Sequence, residues 1–343
     1  MKTLLLQTGT VPAALLCCLL CALCWGSWAN TQKQAAVRNC SFELFYVDFV
    51  VGFSLSILLA SLLPGTSSSR FFTALFYDLM HPHWNSIGYV MLSGLVWSLG
   101  NLLLIAATTV AGMAVSMSVG LSLSWSGAIA LQYLLYPHQV SDPPWLLASV
   151  LFVLLALGLA AKAYQLQISS KAGKVGLGIS LSLLAGIVIL FFYGLTWRAV
   201  SPSYFSGAGG SMTPHSALFF FACGALAGAP LFCSFAIRYP LMGRPKQWKS
   251  YFTTPFRLHL IGWSGGIIWA IGAVGCFYGL TYAPPLLAFV LCNALAPLIA
   301  MVWGLHRWKE FKGSPRPALR LMIWVFILLV AAPVCMMMAG DTL

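Results

Sequence analysis

The chain has 343 residues, of which 60% are apolar and only 7% are charged, and its mean hydropathy is +0.89. A soluble domain cannot cover its surface with so few charges, so the composition excludes a soluble globular protein. The net charge of +12 does not indicate nucleic-acid binding, because the basic residues lie in short segments between long apolar runs. We therefore expect an all-α polytopic membrane protein embedded in a lipid bilayer, with no nucleic-acid partner.

Apolar runs of about 20 residues, the length that crosses a bilayer, follow one another along the whole chain. Turn-forming pairs such as Pro-Gly and Pro-Pro separate several of them. The pattern predicts ten transmembrane helices, at 11–29, 43–63, 85–107, 111–134, 144–164, 175–196, 216–237, 257–281, 283–305 and 319–339.

Lysine and arginine are distributed unevenly between the two sets of loops. Of the 18 basic residues, fifteen follow odd-numbered predicted helices, and three (Lys2, Arg70 and Arg198) lie on the other side. The positive-inside rule then places the odd-numbered loops in the cytoplasm and both termini outside. No terminal segment resembles an organelle address, so we expect a multi-pass protein of a plasma membrane or bacterial inner membrane.

Two segments 172 residues apart resemble each other, SGLVWSLG (93–100) and GGIIWAIG (265–272). They indicate a duplication, with 1–164 as the first five-helix repeat, 165–174 as a cytoplasmic linker and 175–343 as the second repeat. Because five is odd, the repeats would be inverted, as in many secondary transporters whose substrate site lies near the midplane. A weaker similarity between ALCWGSW (22–28) and ALAGAPL (225–231) favours a first helix that is retained over a cleaved signal peptide.

Of the six acidic residues, Glu43 begins the predicted helix 43–63 at the interface, and Asp48 alone lies inside a predicted helix. A carboxylate in hydrocarbon costs about 2.5–3.5 kcal/mol on insertion scales, and such residues usually face a cavity or a partner. Asp48 is therefore our candidate for coupling transport to protons or another ion. The alternatives are that helix 2 starts later, which would place Asp48 at the headgroups, or that Asp48 simply pairs with Lys33 or Arg38.

Trp97 and Trp269 lie near the middle of their predicted helices, between glycines and at duplicated positions. Their indoles could face a central cavity and stack on a flat ring or a sugar face; tight helix packing is the alternative. Uncharged polar side chains suit a small neutral polar solute, because they offer hydrogen bonds at little desolvation cost. The candidates of this kind are Asn30, Asn101, Asn293 and Ser118, although the helix-4 serines also fit helix packing.

The ten cysteines fall mostly inside apolar runs, and CLLCALC (18–24) has two CxxC spacings on one helix face. An iron–sulfur cluster would need a further ligand and polar surroundings, so we interpret these thiols as small residues at a helix contact. We expect no disulfide framework, no metal and no cofactor. Neither H-E-x-x-H nor G-x-S-x-G occurs, and we expect no enzymatic activity.

Five segments, in order along nearly the whole chain, resemble the ureide permease family of the drug/metabolite transporter superfamily. They are CWGSW (24–28), LFYVDFVVGF (44–53), SLGN (98–101), YPLMGRPKQWKSY (239–251) and WGLHRWKEF (303–311). The resemblance implies a ten-helix transporter that imports uncharged nitrogen heterocycles, such as allantoin, uracil or xanthine, together with protons. Its implied site residues in this chain are Trp28, Asp48 and Asn101.

The chain departs from that family at two positions. Met117 stands where many plant members have an acidic residue, and Gly272-Ala273 stands in place of a Gly-Asn pair. The segments 112–125 and 309–317 are also similar to bacterial rhamnose and glucose/ribose uptake transporters of the same superfamily.

We therefore expect a secondary transporter that works by alternating access, as a monomer or homodimer, with proton-coupled uptake of a ureide or nucleobase-like solute. The alternatives are a monosaccharide permease and a metabolite or drug exporter. A membrane receptor would need neither an inverted repeat nor a midplane carboxylate.

Overall fold

The computed structural model describes residues 2–62, 75–136, 142–168, 175–201, 210–240 and 245–340. Within these ranges, ten helices are long and apolar enough to cross a membrane, which confirms the prediction of an all-α polytopic membrane protein. Regular structure in the described residues is helical apart from an isolated bridge between Val200 and Met212. Part of the predicted linker, residues 169–174, lies outside the described residues.

The ten spanning helices are numbered here in chain order. They are α1 (Lys2–Ser27), α2 (Phe42–Leu62), α3 (Trp84–Ala111), α4 (Met113–Leu135), α5 (Pro143–Ile168), α6 (Val175–Ala199), α7 (Pro214–Arg238), α8 (Phe256–Tyr282), α9 (Pro285–Val302) and α10 (Arg316–Met338). Three short elements extend or precede them: Ala29–Val37 after α1, Lys249–Phe252 before α8, and the π-helical turn Trp303–Arg307 after α9.

The first span is longer than the sequence predicts, because the polar residues after Trp28 remain helical to Val37. Buried contacts replace the water that these side chains would otherwise need. Gln32 Nε2 donates to the carbonyl oxygen of Ile105 and to Oγ1 of Thr109, both at 2.9 Å, in α3. Polar groups that are hydrogen-bonded can be buried at little cost, so the helix continues.

Long-range helix contacts organise the bundle. Helix α3 packs against α6 and α7, and α8 packs against α1 and α2. Helix α4 contacts α6 and α9. Helix α1 also contacts α9. Two glycines lie at close crossings: a Cβ at Gly94 would lie 2.2 Å from the carbonyl oxygen of Phe221 in α7, and one at Gly266 would lie 2.1 Å from that of Phe49 in α2. Small residues allow such close backbone approach, and these crossings bring the middle of α3 beside the middle of α8.

Candidate functional site: a central aromatic cavity

A cavity lies where α1, α3, α4, α6, α7, α8 and α9 meet. Its narrower part, of about 30 Å³, is adjoined by a wider part of about 40 Å³, and both are lined by Trp25, Tyr193, Trp269 and Asn293. The narrower part is lined by Trp25, Trp28, Trp97, Asn101, Leu121, Ser124, Ile189, Phe192, Tyr193, Trp269, Asn293 and Ala296.

Three tryptophans form the aromatic wall of this central cavity. The ring centroids of Trp97 and Trp269 lie 4.5 Å apart at an interplanar angle of 59°. Trp25 stacks on Trp269 with centroids 5.0 Å apart, and its Nε1 donates to the carbonyl oxygen of Trp269 at 3.2 Å. The indoles are therefore packed against one another, and each of them lines the cavity.

Polar groups stand beside the aromatic wall. Asn293 donates to the carbonyl oxygen of Phe289 at 2.9 Å and accepts a 2.8 Å hydrogen bond from the Tyr193 hydroxyl. Asn101 donates to the carbonyl oxygen of Trp97 at 3.2 Å, and Ser124 donates to that of Leu121 at 2.8 Å. The cavity lining thus combines amides and hydroxyls with indoles, and among its described residues none carries a formal charge.

Five of the eight predicted site residues share this cavity: Trp28, Trp97, Asn101, Trp269 and Asn293. Sequence reasoning did not single out Trp25 and Tyr193 as cavity residues. Trp25 lies one turn before Trp28 on α1, and that spacing could have identified it. Tyr193 has no comparable local signal, because its role follows from the approach of α6 to α9.

Ser118 and Asn30 lie elsewhere. Ser118 is buried and bonded to the carbonyl oxygen of Ala114, one turn back in α4, as expected for a packing residue. Asn30 donates to the carbonyl oxygen of Ser27 at 2.7 Å and accepts from Nε1 of Trp308 at 2.7 Å. It therefore connects the end of α1 to the segment that follows α9.

Asp48 is also outside the cavity, at the interface between α2 and α8. Its carboxylate is 1% exposed and lies 2.8 and 2.9 Å from Nδ1 of His259, and the Tyr251 hydroxyl donates to it at 2.6 Å. Gly262 makes room for it, because a Cβ there would lie 2.3 Å from Cβ of Asp48. Lys33 and Arg38, the partners named in the alternative interpretation, do not bind Asp48; a histidine and a tyrosine do, which the sequence could not assign.

The Asp48 site is joined to the cavity through its neighbour on α2. Phe49 lies 4.5 Å from the Trp28 ring and 6.2 Å from the Trp97 ring, measured between centroids. Helix α8 makes a second link, since it carries both His259 and Trp269. Residues of α2 and α8 therefore connect Asp48 to the tryptophans of the cavity.

Two further ion pairs lie at the same end of the bundle, which we call the basic end because it carries Lys33, Lys246 and other basic residues. Lys33 Nζ lies 2.7 Å from Oε1 of Glu310, and Lys246 Nζ lies 3.6 Å from Oε2 of the buried Glu43. With Asp48–His259, each pair joins a residue of α1–α2 to one in or beside α7–α10. These three contacts hold the basic end together.

Glu310 has a second role at the start of α4. Its carboxylate oxygens accept from the backbone N–H groups of Met113 and Ala114 at 2.7 and 2.8 Å. These N–H groups have no partner within the helix, and negative charge is favoured at a helix N-terminus. One carboxylate therefore binds both Lys33 and the first turn of α4.

Comparison with known proteins supports a membrane transporter. No protein-family model matches the chain. It is similar to Ureide permease 1 of Arabidopsis thaliana, with 22% identity over 392 aligned positions that cover 96% of this chain and 97% of that protein. The full-length similarity and the ten apolar helices together indicate a multi-pass membrane transporter rather than an enzyme.

Proposed function

We propose that the protein is a secondary active transporter for a small neutral polar solute, and that the solute is a flat nitrogen heterocycle of the ureide or nucleobase class. The meeting of Trp25, Trp97 and Trp269 with Asn101 and Asn293 in one buried cavity carries this proposal. Indole faces stack on flat rings, and an uncharged amide can both donate to and accept from a ring lactam. The name of Ureide permease 1 agrees with this substrate class.

We also propose that residues 1–164 and 175–343 are inverted repeats. The helix contacts support this, because each main contact has a counterpart five helices away: α3–α7 with α8–α2, α3–α6 with α8–α1, and α4–α6 with α9–α1. Three further contacts, α2–α7, α4–α9 and α5–α10, each join a helix to its own counterpart, so an exchange of the two repeats leaves them unchanged. Such a pattern is expected when two equivalent five-helix units exchange places.

The glycines at the helix crossings agree with this pairing of helices residue by residue. Gly94 meets Phe221 and Gly266 meets Phe49, and both Gly94 to Gly266 and Phe49 to Phe221 are steps of 172 residues. The weaker similarity between 22–28 and 225–231 does not fit, because it pairs α1 with α7, whereas the contacts equate α1 with α6. The case for α1 as part of the fold rests instead on its packing against α8 and α9.

In this proposal, Asp48 is the residue that couples transport to a proton, with His259 as its partner. When Asp48 is ionised, its contact with His259 and the Tyr251 hydrogen bond hold α2 against α8. Protonation of the carboxylate would weaken the contact with His259 by removing its charge. The α2–α8 interface could then shift, and with it Phe49 and the cavity residue Trp269.

Alternating access requires the basic end to open. The Lys33–Glu310, Lys246–Glu43 and His259–Asp48 contacts would all have to separate, since each crosses between the proposed repeats. The wider part of the cavity extends away from that end, along residues such as Thr196, Leu218 and Leu280. We therefore propose that the described conformation is closed at the basic end, which the charge distribution places in the cytoplasm.

An uptake experiment tests the proposal. Cells expressing the chain would receive labelled uracil, allantoin or rhamnose, each with and without a protonophore. We expect uptake of a heterocycle that the protonophore abolishes. A Trp97→Ala/Trp269→Ala double variant present at the same level in the membrane is the control.

Each other result changes a different part of the proposal. Rhamnose uptake alone would assign the cavity to a sugar, and heterocycle uptake that resists the protonophore would remove proton coupling. If none of the three accumulates, efflux from preloaded cells measures the opposite direction. Absence of both uptake and efflux would contradict the proposed substrate class.

A further inference from the structure

Three thiols from three separate helices converge beside the wider part of the central cavity. Cys21 of α1, Cys276 of α8 and Cys292 of α9 are buried, and their Sγ atoms all lie within 4.8 Å of one another. Cys18, one turn earlier on α1, is buried in the same cluster. The CLLCALC segment thus supplies two thiols, and the other two come from far along the chain.

We propose that Cys21, Cys276 and Cys292 form a binding site for a soft, singly charged metal ion of the copper(I) class. Soft cysteine sulfur is a ligand that copper(I) prefers, as do zinc and iron–sulfur clusters. Metal–sulfur bonds of about 2.3 Å, as in zinc–thiolate sites, place three trigonal ligands about 4 Å apart. The three sulfur atoms need only a small contraction to reach that spacing.

The surroundings of the thiols favour a singly charged ion. The residues that pack with them are apolar, among them Ala14, Ala283 and Ala288. A divalent ion held by three or four thiolates would leave net negative charge in this apolar region, which is costly. With copper(I), one thiol loses its proton to water and its sulfur bonds to the ion, while the other two thiols donate lone pairs. The complex is then neutral, and no oxidant or reductant is consumed.

The cavity provides the route to this site. Cys276 lines the wider part of the cavity together with Tyr193 and Asn293, whereas Cys21 and Cys292 lie behind it. An ion could therefore reach the thiols from the cavity without separating the helices. Once bound, it would join α1 to α8 and α9.

Copper(I) titration of purified protein tests this inference without any transport assay. The first variant retains the four clustered cysteines and has serine at each of the others, namely Cys17, Cys24, Cys40, Cys223, Cys233 and Cys335. The second adds Cys21→Ser, Cys276→Ser and Cys292→Ser. Both would be titrated with copper(I) alone, under ascorbate and without oxygen, against a chromogenic copper(I) chelator.

We expect the first variant to bind one equivalent of copper(I), to release one proton, and to show an all-sulfur first shell by X-ray absorption. The second variant should bind at least 100-fold more weakly. Equal affinity of the two variants would overturn the proposal. Failure of the first variant to bind while it remains monodisperse would overturn it as well, whether or not the second variant folds.

Discussion

Trp97 and Trp269 face each other at the centre of the bundle with ring centroids 4.5 Å apart, although 172 residues separate them in the sequence. Their 59° tilt keeps them from closing into a parallel stack, and both line the central cavity. A flat solute can therefore lie against one indole while it contacts the edge of the other.

Replacement of Trp97 by alanine should weaken substrate binding about tenfold, since base–aromatic stacking contributes about 1–3 kcal/mol. Trp97→Phe should retain most of the affinity because it keeps a flat ring. Binding to purified protein by scintillation proximity measures this directly. Trp324→Ala is the matched control, because Trp324 on α10 is 57% exposed at the outer surface of the bundle. Equal losses in Trp97→Ala and Trp324→Ala would assign Trp97 to packing.

Neutralisation of Asp48 should separate binding from accumulation. Asp48→Asn keeps the size of the side chain but cannot ionise, so we expect bound substrate at near wild-type affinity and loss of uptake against a gradient. Counterflow, which needs no proton gradient, should persist. Asp142→Asn is the control, since Asp142 is an exposed residue at the opposite end of the bundle. Full gradient-driven uptake by Asp48→Asn would remove Asp48 from the mechanism.

Tyr251 gives a second test of the same site. Burial raises the pKa of Tyr251, and the hydrogen bond to Asp48 raises it further. Its hydroxyl is therefore a neutral donor throughout the physiological pH range and favours the ionised carboxylate. Tyr251→Phe should shift the pH dependence of uptake toward higher pH, because Asp48 would then bind its proton more readily. An unchanged pH profile would show that the Tyr251 hydrogen bond does not tune Asp48.

Removal of the Glu310 carboxylate should destabilise the protein by about 1–3 kcal/mol, because the N–H groups that begin α4 and the Lys33 ammonium lose their acceptor. Thermal unfolding in detergent of Glu310→Ala, Lys33→Ala and the double variant gives the coupling energy. Lys312→Ala, a change at an exposed residue of the same loop, should leave the melting temperature unchanged. Additive effects of Lys33→Ala and Glu310→Ala would show that the ion pair contributes nothing.

The fold was largely predictable from the sequence because each spanning helix must satisfy its backbone internally over about 20 apolar residues. Hydropathy therefore identified all ten helices in order. The predicted end of the first span was wrong. Gln32 and Lys33 remain helical because α3 and Glu310 supply their partners. Partners of this kind lie 70 or more residues away, and no local pattern reveals them.

The candidate site was predictable where the repeat or an unusual residue gave a signal. The duplicated Gly-Trp-Gly spacing identified Trp97 and Trp269, and the polar character of Asn101 and Asn293 within apolar runs identified the amides. Asp48 was recognised as unusual, but its partner His259 depends on how α2 and α8 cross. The same limit applies to the thiol cluster, whose members come from α1, α8 and α9.

The two glycine crossings provide a final test that needs no substrate. A Cβ at Gly94 or Gly266 would meet backbone oxygen at 2.2 or 2.1 Å, which cannot move without separating the helices. Gly94→Ala and Gly266→Ala should therefore each destabilise the protein by about 1–3 kcal/mol and lower its melting temperature. Gly88→Ala is the matched control, since nothing lies within 4 Å of a Cβ there. If the repeats are equivalent, the losses at Gly94 and Gly266 should be similar, and a large loss at only one of them would contradict the pairing of α3–α7 with α8–α2.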